Sequence, residues 1–432
     1  MSSAVSSHTV AASSSTEQGK DPESPLTPLI LPNGGWQAWA TVFGAFLVQV
    51  CNFGYTSSFG VYQDFYVQEY ITNASPSAIS WIGSVNAFCL ISGGVIAGRL
   101  YDRGYFYPLV WGGSLLTVFS LFMLSLAKPN HYYQVFLSQG LGAGLGGGLT
   151  YVPSIAITSH YFSTRRALAM TIIATGSSLG AIIHPIMLNN TFARLGFHDA
   201  VCASTGLVAG LLLIACCLMR TNMPIQQHYT RSLQSISSDW AYISATLGLM
   251  SFSIGFYFPQ FYLQLDASIH GLNKDFAFYS LVVLNSASIV GRLLPGFLVN
   301  KLGAGNMITF ATAMCAAAIS GMIGLSSTTS VVLIAIFYGF FAGTYVGLIS
   351  PLMVSLSSDV SEIGLRMGIG FLFSGIGVLI GTPIGGVLLT ERFIWWQAVL
   401  FSGMTGMLGS FFFAGMLVIL HQRRNSKNTE KQ

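Results

Sequence analysis

Twelve apolar stretches, each about 20 residues or longer, recur along this chain of 432 residues and leave it few folds to choose from. They fall at residues 37–63, 78–99, 106–127, 132–158, 167–189, 198–219, 239–264, 276–299, 305–326, 330–356, 366–389 and 395–419. As a helix, each is long enough to cross the roughly 30 Å hydrocarbon core of a bilayer. Only 7% of the residues are charged against 52% hydrophobic, whereas soluble domains carry about a quarter charged residues. The expected fold is therefore an all-α integral membrane protein of twelve transmembrane helices, with the lipid bilayer as its solvent.

Lys and Arg in short loops set the orientation of such a protein. With both termini in the cytosol, that side receives Lys20, Arg99, Arg103, Arg165, Arg166, Arg220, Arg231, Lys301, Arg366, Arg423, Arg424, Lys427 and Lys431. The opposite side keeps Lys128, Arg194, Lys274 and Arg392, and Arg292 alone lies inside a span. An even number of crossings with cytosolic ends follows, and the plasma membrane is the default location. The net charge is +4, but the basic residues are scattered over loops and form no stripe with aromatics, so nucleic acid is not an expected partner. All six cysteines lie in apolar segments, where neither a disulfide framework nor zinc-type spacing is expected; no metal or cofactor is anticipated.

Residues 1–35 read as a disordered cytosolic tail rich in Ser, Thr and Pro, without a cleavable signal. The polar stretch 220–238 divides the spans six and six, into bundles at 36–219 and 239–419, with a basic tail at 420–432. The halves repeat at an offset of 198: Gly98-Arg-Leu-Tyr-Asp102-Arg103-Gly104 falls on Gly296-Phe-Leu-Val-Asn300-Lys301-Leu302-Gly303, Pro153 on Pro351, and Pro185 on Pro383. A duplicated six-helix unit is the architecture of alternating-access carriers, whose substrate site lies where the repeats meet.

The segment from Gly98 to Gly104 resembles the loop 2–3 signature of the major facilitator superfamily, with its closing glycine one residue early. Asn33-Gly34-Gly35-Trp36-Gln37-Ala38-Trp39 is similar to the entry motif of its monocarboxylate-porter-like branch, fungal members above all. So is Tyr161-Phe162-Ser163-Thr164-Arg165-Arg166-Ala167-Leu168-Ala169 followed by Gly176-Ser177-Ser178-Leu179-Gly180. The resemblance covers residues 36–420 and implies the pseudo-symmetric twelve-helix facilitator fold and solute transport. Two charges of the animal lactate-type carriers are absent: their first-span Lys falls on Ser57 and their eighth-span Asp on Ser288, while the Arg is retained as Arg292.

Arg292 lies eight residues before Asn300, about 12 Å into its span. An intramembrane cation faces a cavity or a partner, so Arg292 is either an anion anchor, holding a carboxylate by two hydrogen bonds, or a structural arginine near the inner gate. Asn52, Ser57, Asn86, Asn285 and Ser288 could supply uncharged hydrogen bonds around it or could equally join helices to one another. No Asp or Glu lies mid-span, which leaves His184, next to Pro185, as the proton-coupling candidate or as a structural histidine beside a kink. Asp102, Arg103, Arg165, Arg166, Asn300 and Lys301 are expected to form a cytosolic gate, and Asn73-Ala74-Ser75 is a glycosylation sequon in a predicted outer loop. The glycine run 142–148 lacks a Lys-Ser or Lys-Thr and reads as close helix packing.

No nucleophile elbow, HExxH or His-rich cluster points to an enzyme. The reading is a carrier of a small organic solute by alternating access, its substrate an organic anion, in particular a carboxylate-bearing metabolite, or an amphipathic one. The alternatives are an efflux pump for a fungal secondary metabolite and, more remotely, a non-transporting membrane receptor. Oligomeric state is not legible in the chain.

Overall fold

Apolar residues ring most of these segments instead of forming a single stripe, and such a helix can only be buried on all sides or bathed in lipid. Phe106–Ser125 shows both: Leu109, Val110, Leu121 and Leu124 are buried while Leu115, Phe119 and Phe122 point outward. The computed structural model describes residues 34–221, 238–269, 274–325, 327–357, 362–389 and 395–429, and among them there is helix and no strand. The expected tail up to Asn33 and residues 222–237 of the linker lie outside the described residues.

Among the described residues, ten helical stretches are long and apolar enough to cross a membrane. One of them, Arg166–Leu218, has 53 residues and breaks at Gly196, whose φ of 77° and ψ of 176° no helix accommodates. Its two parts are named α5 (166–195) and α6 (197–218). Before them come α1 (Trp36–Tyr70), α2 (Ala78–Asp102) and α3 (Phe106–Ser125), then α4, a succession of helical turns over 132–160. The remainder are α7 (Trp240–Leu263), α8 (Lys274–Leu302), α9 (Ala304–Gly324), α10 (Thr328–Ser355), α11 (Ile363–Leu389) and α12 (Trp395–Thr429). The arrangement is consistent with twelve crossings. Helix α12 runs on past 419 through His421, Arg423 and Arg424, because backbone hydrogen bonding continues after the apolar stretch has ended.

Corresponding features recur in the two sets of six helices. α2 and α8 each end on a left-handed glycine, Gly104 at φ 87° and Gly303 at φ 81°, the usual way a helix is stopped short. α1 is interrupted at Ser58 and α7 at Tyr257. Pro153 and Pro351 sit inside α4 and α10, where neighbouring helices can make good the lost backbone bond.

The side on which α2 and α8 end and α5 and α11 begin, and from which α1 starts, is called the terminal side. On it α2 meets α11 so closely that a Cβ on Gly98 would lie 2.0 Å from the Gly364 carbonyl oxygen. Small residues there let backbones touch, the main source of helix association in lipid. α5 meets α8 in the same way, with Gly296 against Thr171 and Leu168.

Candidate functional site

An arginine deep in a membrane helix must find a partner, and Arg292 finds one across the seam between the two sets of helices. It is 7% exposed, and its Nη1 donates to the Ala174 carbonyl and to Ser177 Oγ, both on α5. One residue along α5, Ser178 Oγ donates to Ser288 Oγ at 3.1 Å. Among the described residues Arg292 has no carboxylate within ion-pair distance, and its Nε is buried without any hydrogen-bond partner. Tyr151 of α4 and Tyr257, at the break in α7, are the ionisable side chains near enough to feel its charge. Tyr151 in turn packs on Phe53 of α1 and Phe371 of α11, with ring centroids 4.9 Å and 5.0 Å apart. Tyr345 of α10, 4.2 Å from the Phe252 ring, closes the group with the hydroxyls of Ser253 and Ser374, 2.7 Å apart. The result is one unneutralised cation within a shell of aromatic rings and hydroxyls contributed by both halves.

Toward the terminal side the seam is closed. Asp102 accepts hydrogen bonds from the Gly364 and Leu365 backbone N–H groups, at 2.9 Å and 2.7 Å. It thereby caps the N-terminus of α11, where free N–H groups and the helix dipole favour a negative charge. Asn300 donates to the Thr164 carbonyl at 3.2 Å. Beyond Ser178 and Ser288, and beyond Ser92 facing Gly375, the nearest neighbours of the glycines in α5 and α11 belong to their own half: Gly180 abuts Val50 and Gly54, and Gly381 abuts Ile254. A seam tied on the terminal side is a feature of one of the two states an alternating-access carrier must visit.

The sequence matches the Major Facilitator Superfamily model over residues 41–362. The chain belongs to the major facilitator superfamily. Its relatives include the aspyridones efflux protein apdF of Emericella nidulans, 34% identical over 90% of this chain and 79% of that protein. The fujikurins efflux protein of Gibberella fujikuroi is 35% identical over 91% of this chain and 85% of that protein. The agnestins efflux protein AgnL12 of Paecilomyces divaricatus is 34% identical, with coverage of 93% and 90%. Among solved structures, the human organic anion transporter MFSD10 (TETRAN) superposes with a TM-score of 0.69 over 87% of this chain and 99% of that one; at 14% identity the likeness is one of fold. The protein is a multi-pass membrane transporter of this superfamily.

The facilitator fold does not gather the uncharged candidates around Arg292. Asn52 donates to Thr150 Oγ1 at 2.8 Å and to the Gly147 carbonyl at 3.4 Å, joining α1 to α4. Asn86 donates to the Gln139 carbonyl at 2.7 Å and accepts from Thr56, joining α2 to α4 and α1. Asn285 and Ser57 return their hydrogen bonds to carbonyls of their own helices, Leu281 and Phe53. Ser288, four residues before Arg292 on α8, bonds Ser178 across the seam. His184 is wholly buried between α1 and α5, edge-on to Tyr55 with centroids 5.8 Å apart, and neither ring nitrogen has a hydrogen-bond partner of normal geometry. It lies seven residues along α5 from Ser177, about 10 Å further from the terminal side.

Of the gate candidates, Asp102 and Asn300 bridge the halves. Asp102 does so through the backbone of α11, not by pairing with Arg103. Arg166 donates through Nε to the Phe162 carbonyl of its own half at 3.0 Å. Arg103, Arg165 and Lys301 make no bond across the seam to another described residue.

A second buried arginine, Arg366, lies in the first turn of α11. Read from sequence as a loop charge, it is 1% exposed within α11. It pairs with Asp239 at 3.1 Å and Glu362 at 3.2 Å, donates to the Leu356 carbonyl at 2.7 Å, and lies 5.2 Å from the centre of the Tyr242 ring. Arg423 of α12 reaches the other oxygen of Asp239 at 2.9 Å. Burial alone would raise the Asp239 carboxyl, but hydrogen bonds and charge from Arg366 and Arg423 hold it below the ordinary aspartate value. The apolar pattern of α11 gave no sign of this cluster, since its members come from separate stretches of the chain.

Proposed function

We propose that this chain is an exporter of a small acidic metabolite, working by alternating access in the plasma membrane with both termini in the cytosol. One observation carries the reading: a buried guanidinium at the seam, facing both halves, has only neutral acceptors and an unused Nε donor. A carboxylate or comparable anion would supply the missing charge, with bidentate geometry that arginine favours. The surrounding tyrosines and phenylalanines suit a ring-bearing or amphipathic body on the same molecule. Three relatives whose names describe efflux support this direction. The motifs at 33–39 and 161–180 lead us to assign the chain to the monocarboxylate-porter-like branch, with an anion-binding arginine but without that branch's lysine and aspartate.

Profiling of small molecules inside and outside cells, with and without the gene, tests this function. An acidic compound accumulates inside and disappears from the medium when the gene is removed. Redistribution of neutral compounds alone would overturn the anion reading, and no redistribution would overturn export. The topology has its own check. Asn73 is exposed and uses one amide hydrogen on the Asn130 carbonyl, at 3.0 Å, leaving the other hydrogen to be replaced by a sugar. With that loop outside the cell the protein gains a glycan at Asn73, so glycosidase treatment sharpens its gel mobility and Asn73→Gln abolishes the change. A glycan on neither would contradict this orientation.

A further inference from the structure

Arg292 is held by α5 in the very state where the terminal side is closed, and this contact does more than tie two helices together. Ser177 Oγ and the Ala174 carbonyl occupy Nη1, a donor that an anionic substrate would otherwise take. We infer that these two α5 acceptors are a counter-ligand: on closure of the terminal side they displace the substrate's anionic group from Arg292, so that release toward the opposite side is built into the movement of α5 against α8. The inference rests on Arg292 being the anion anchor.

Three observations support an exchange of partners. First, a bare cation at this depth is costly, and a carrier whose arginine had no partner in one of its states would visit that state rarely. Two neutral acceptors keep the state accessible. Second, they are weaker than a carboxylate, which adds an opposite charge and takes two guanidinium N–H groups at once. They can therefore replace the anion when closure presents them, yet yield to it when the seam opens. Third, Ser177 Oγ also donates to the Ala174 carbonyl at 2.9 Å, so both acceptors stay within normal helix bonding when the arginine leaves. Nothing on α5 is left unsatisfied in the other state. The contact sits directly above the sealed part of the seam, where Thr171, fully buried, faces Gly296. Making and breaking it is thereby linked to closing and opening that seal.

The test uses the full chain in liposomes, with naphthoate as the probe anion. Ser177→Ala removes one acceptor. It is expected to lower KM for naphthoate several-fold, because the anion meets less competition, and to lower kcat by a comparable factor, because release slows. Ser177→Thr keeps the hydroxyl and restores both. A second readout needs no substrate: maleimide labelling at a Thr171→Cys position, read by mass spectrometry of that peptide. Labelling is slow in the parent and several-fold faster with either Ser177→Ala or Arg292→Ala, and the two together do not exceed Arg292→Ala alone, which already removes both contacts. If Arg292→Ala removes naphthoate flux while Ser177→Ala leaves KM, kcat and labelling unchanged, the counter-ligand is overturned and the proposed function stands. If Arg292→Ala leaves the flux intact, the anion anchor itself fails. Where the parent does not carry naphthoate, labelling decides alone, and unchanged or additive rates overturn the inference.

Discussion

Replacing Arg292 with alanine is expected to abolish anion transport while the protein still reaches the membrane in normal amount. The first half of this expectation is electrostatic. Truncating one member of a buried, hydrogen-bonded charge pair costs about 2–5 kcal/mol, which is a loss of more than about thirty-fold in affinity at the lower end. The second half is structural. Ala174 and Ser177 remain satisfied through their own helical hydrogen bond, and removal of a cation from an apolar seam relieves a desolvation cost instead of creating one. Flux of an acidic compound into liposomes, set against the amount of reconstituted protein, measures both together. Retained flux at normal protein level would remove Arg292 from the substrate path.

Arg366→Ala should do the reverse, damaging the fold before it touches transport. Its side chain is 2% exposed and lies between Asp239 and Glu362, so the substitution takes a buried cation at ion-pair distance away from both carboxylates. Breaking a buried pair in this way costs about 3–5 kcal/mol, a large part of the margin that keeps a protein folded. The variant is expected to accumulate poorly and to melt well below the parent in detergent. The same cluster gives a pH dependence of definite sign. Asp239 is held below its ordinary value in the folded state, so the stability it adds is fully present above the unfolded aspartate value and is lost as the pH falls below that value toward the folded one. Acid should therefore lower the melting temperature of the parent more than that of Arg366→Ala. Equal slopes would show that the cluster contributes nothing through its charge.

The fold was legible in the sequence because bilayer insertion is governed by the length and apolarity of segments taken one at a time. The spans, the repeat offset and the paired glycines Gly104 and Gly303 are all local signals, and the structure places helix breaks where those signals lie. The site was legible only in its most expensive member. Arg292 stands out because a cation in a span is rare whatever surrounds it. Tyr151 and Tyr345 do not, since tyrosines are common in membrane helices and only the crossing of α4 and α10 with α7 and α8 turns them inward. Ser177 lay within a recognisable motif at 176–180, yet its partner is 115 residues away. Asn52 and Asn86 show the same limit: their residue type suits substrate binding and helix pairing equally, and only the fold shows their hydrogen bonds joining α1 and α2 to α4. Arg366 reads as a topogenic charge at the first turn of its span, and its ion pairs show only once the fold brings Asp239 and Glu362 beside it.

The central claim is that the seam between the halves carries an anion past Arg292. Counterflow in liposomes, comparing the acidic compound identified by profiling with its uncharged amide, tests this most directly. The account predicts rapid exchange of the acid, little exchange of the amide, and loss of the difference in Arg292→Ala. Equal exchange of acid and amide by the parent protein would contradict it.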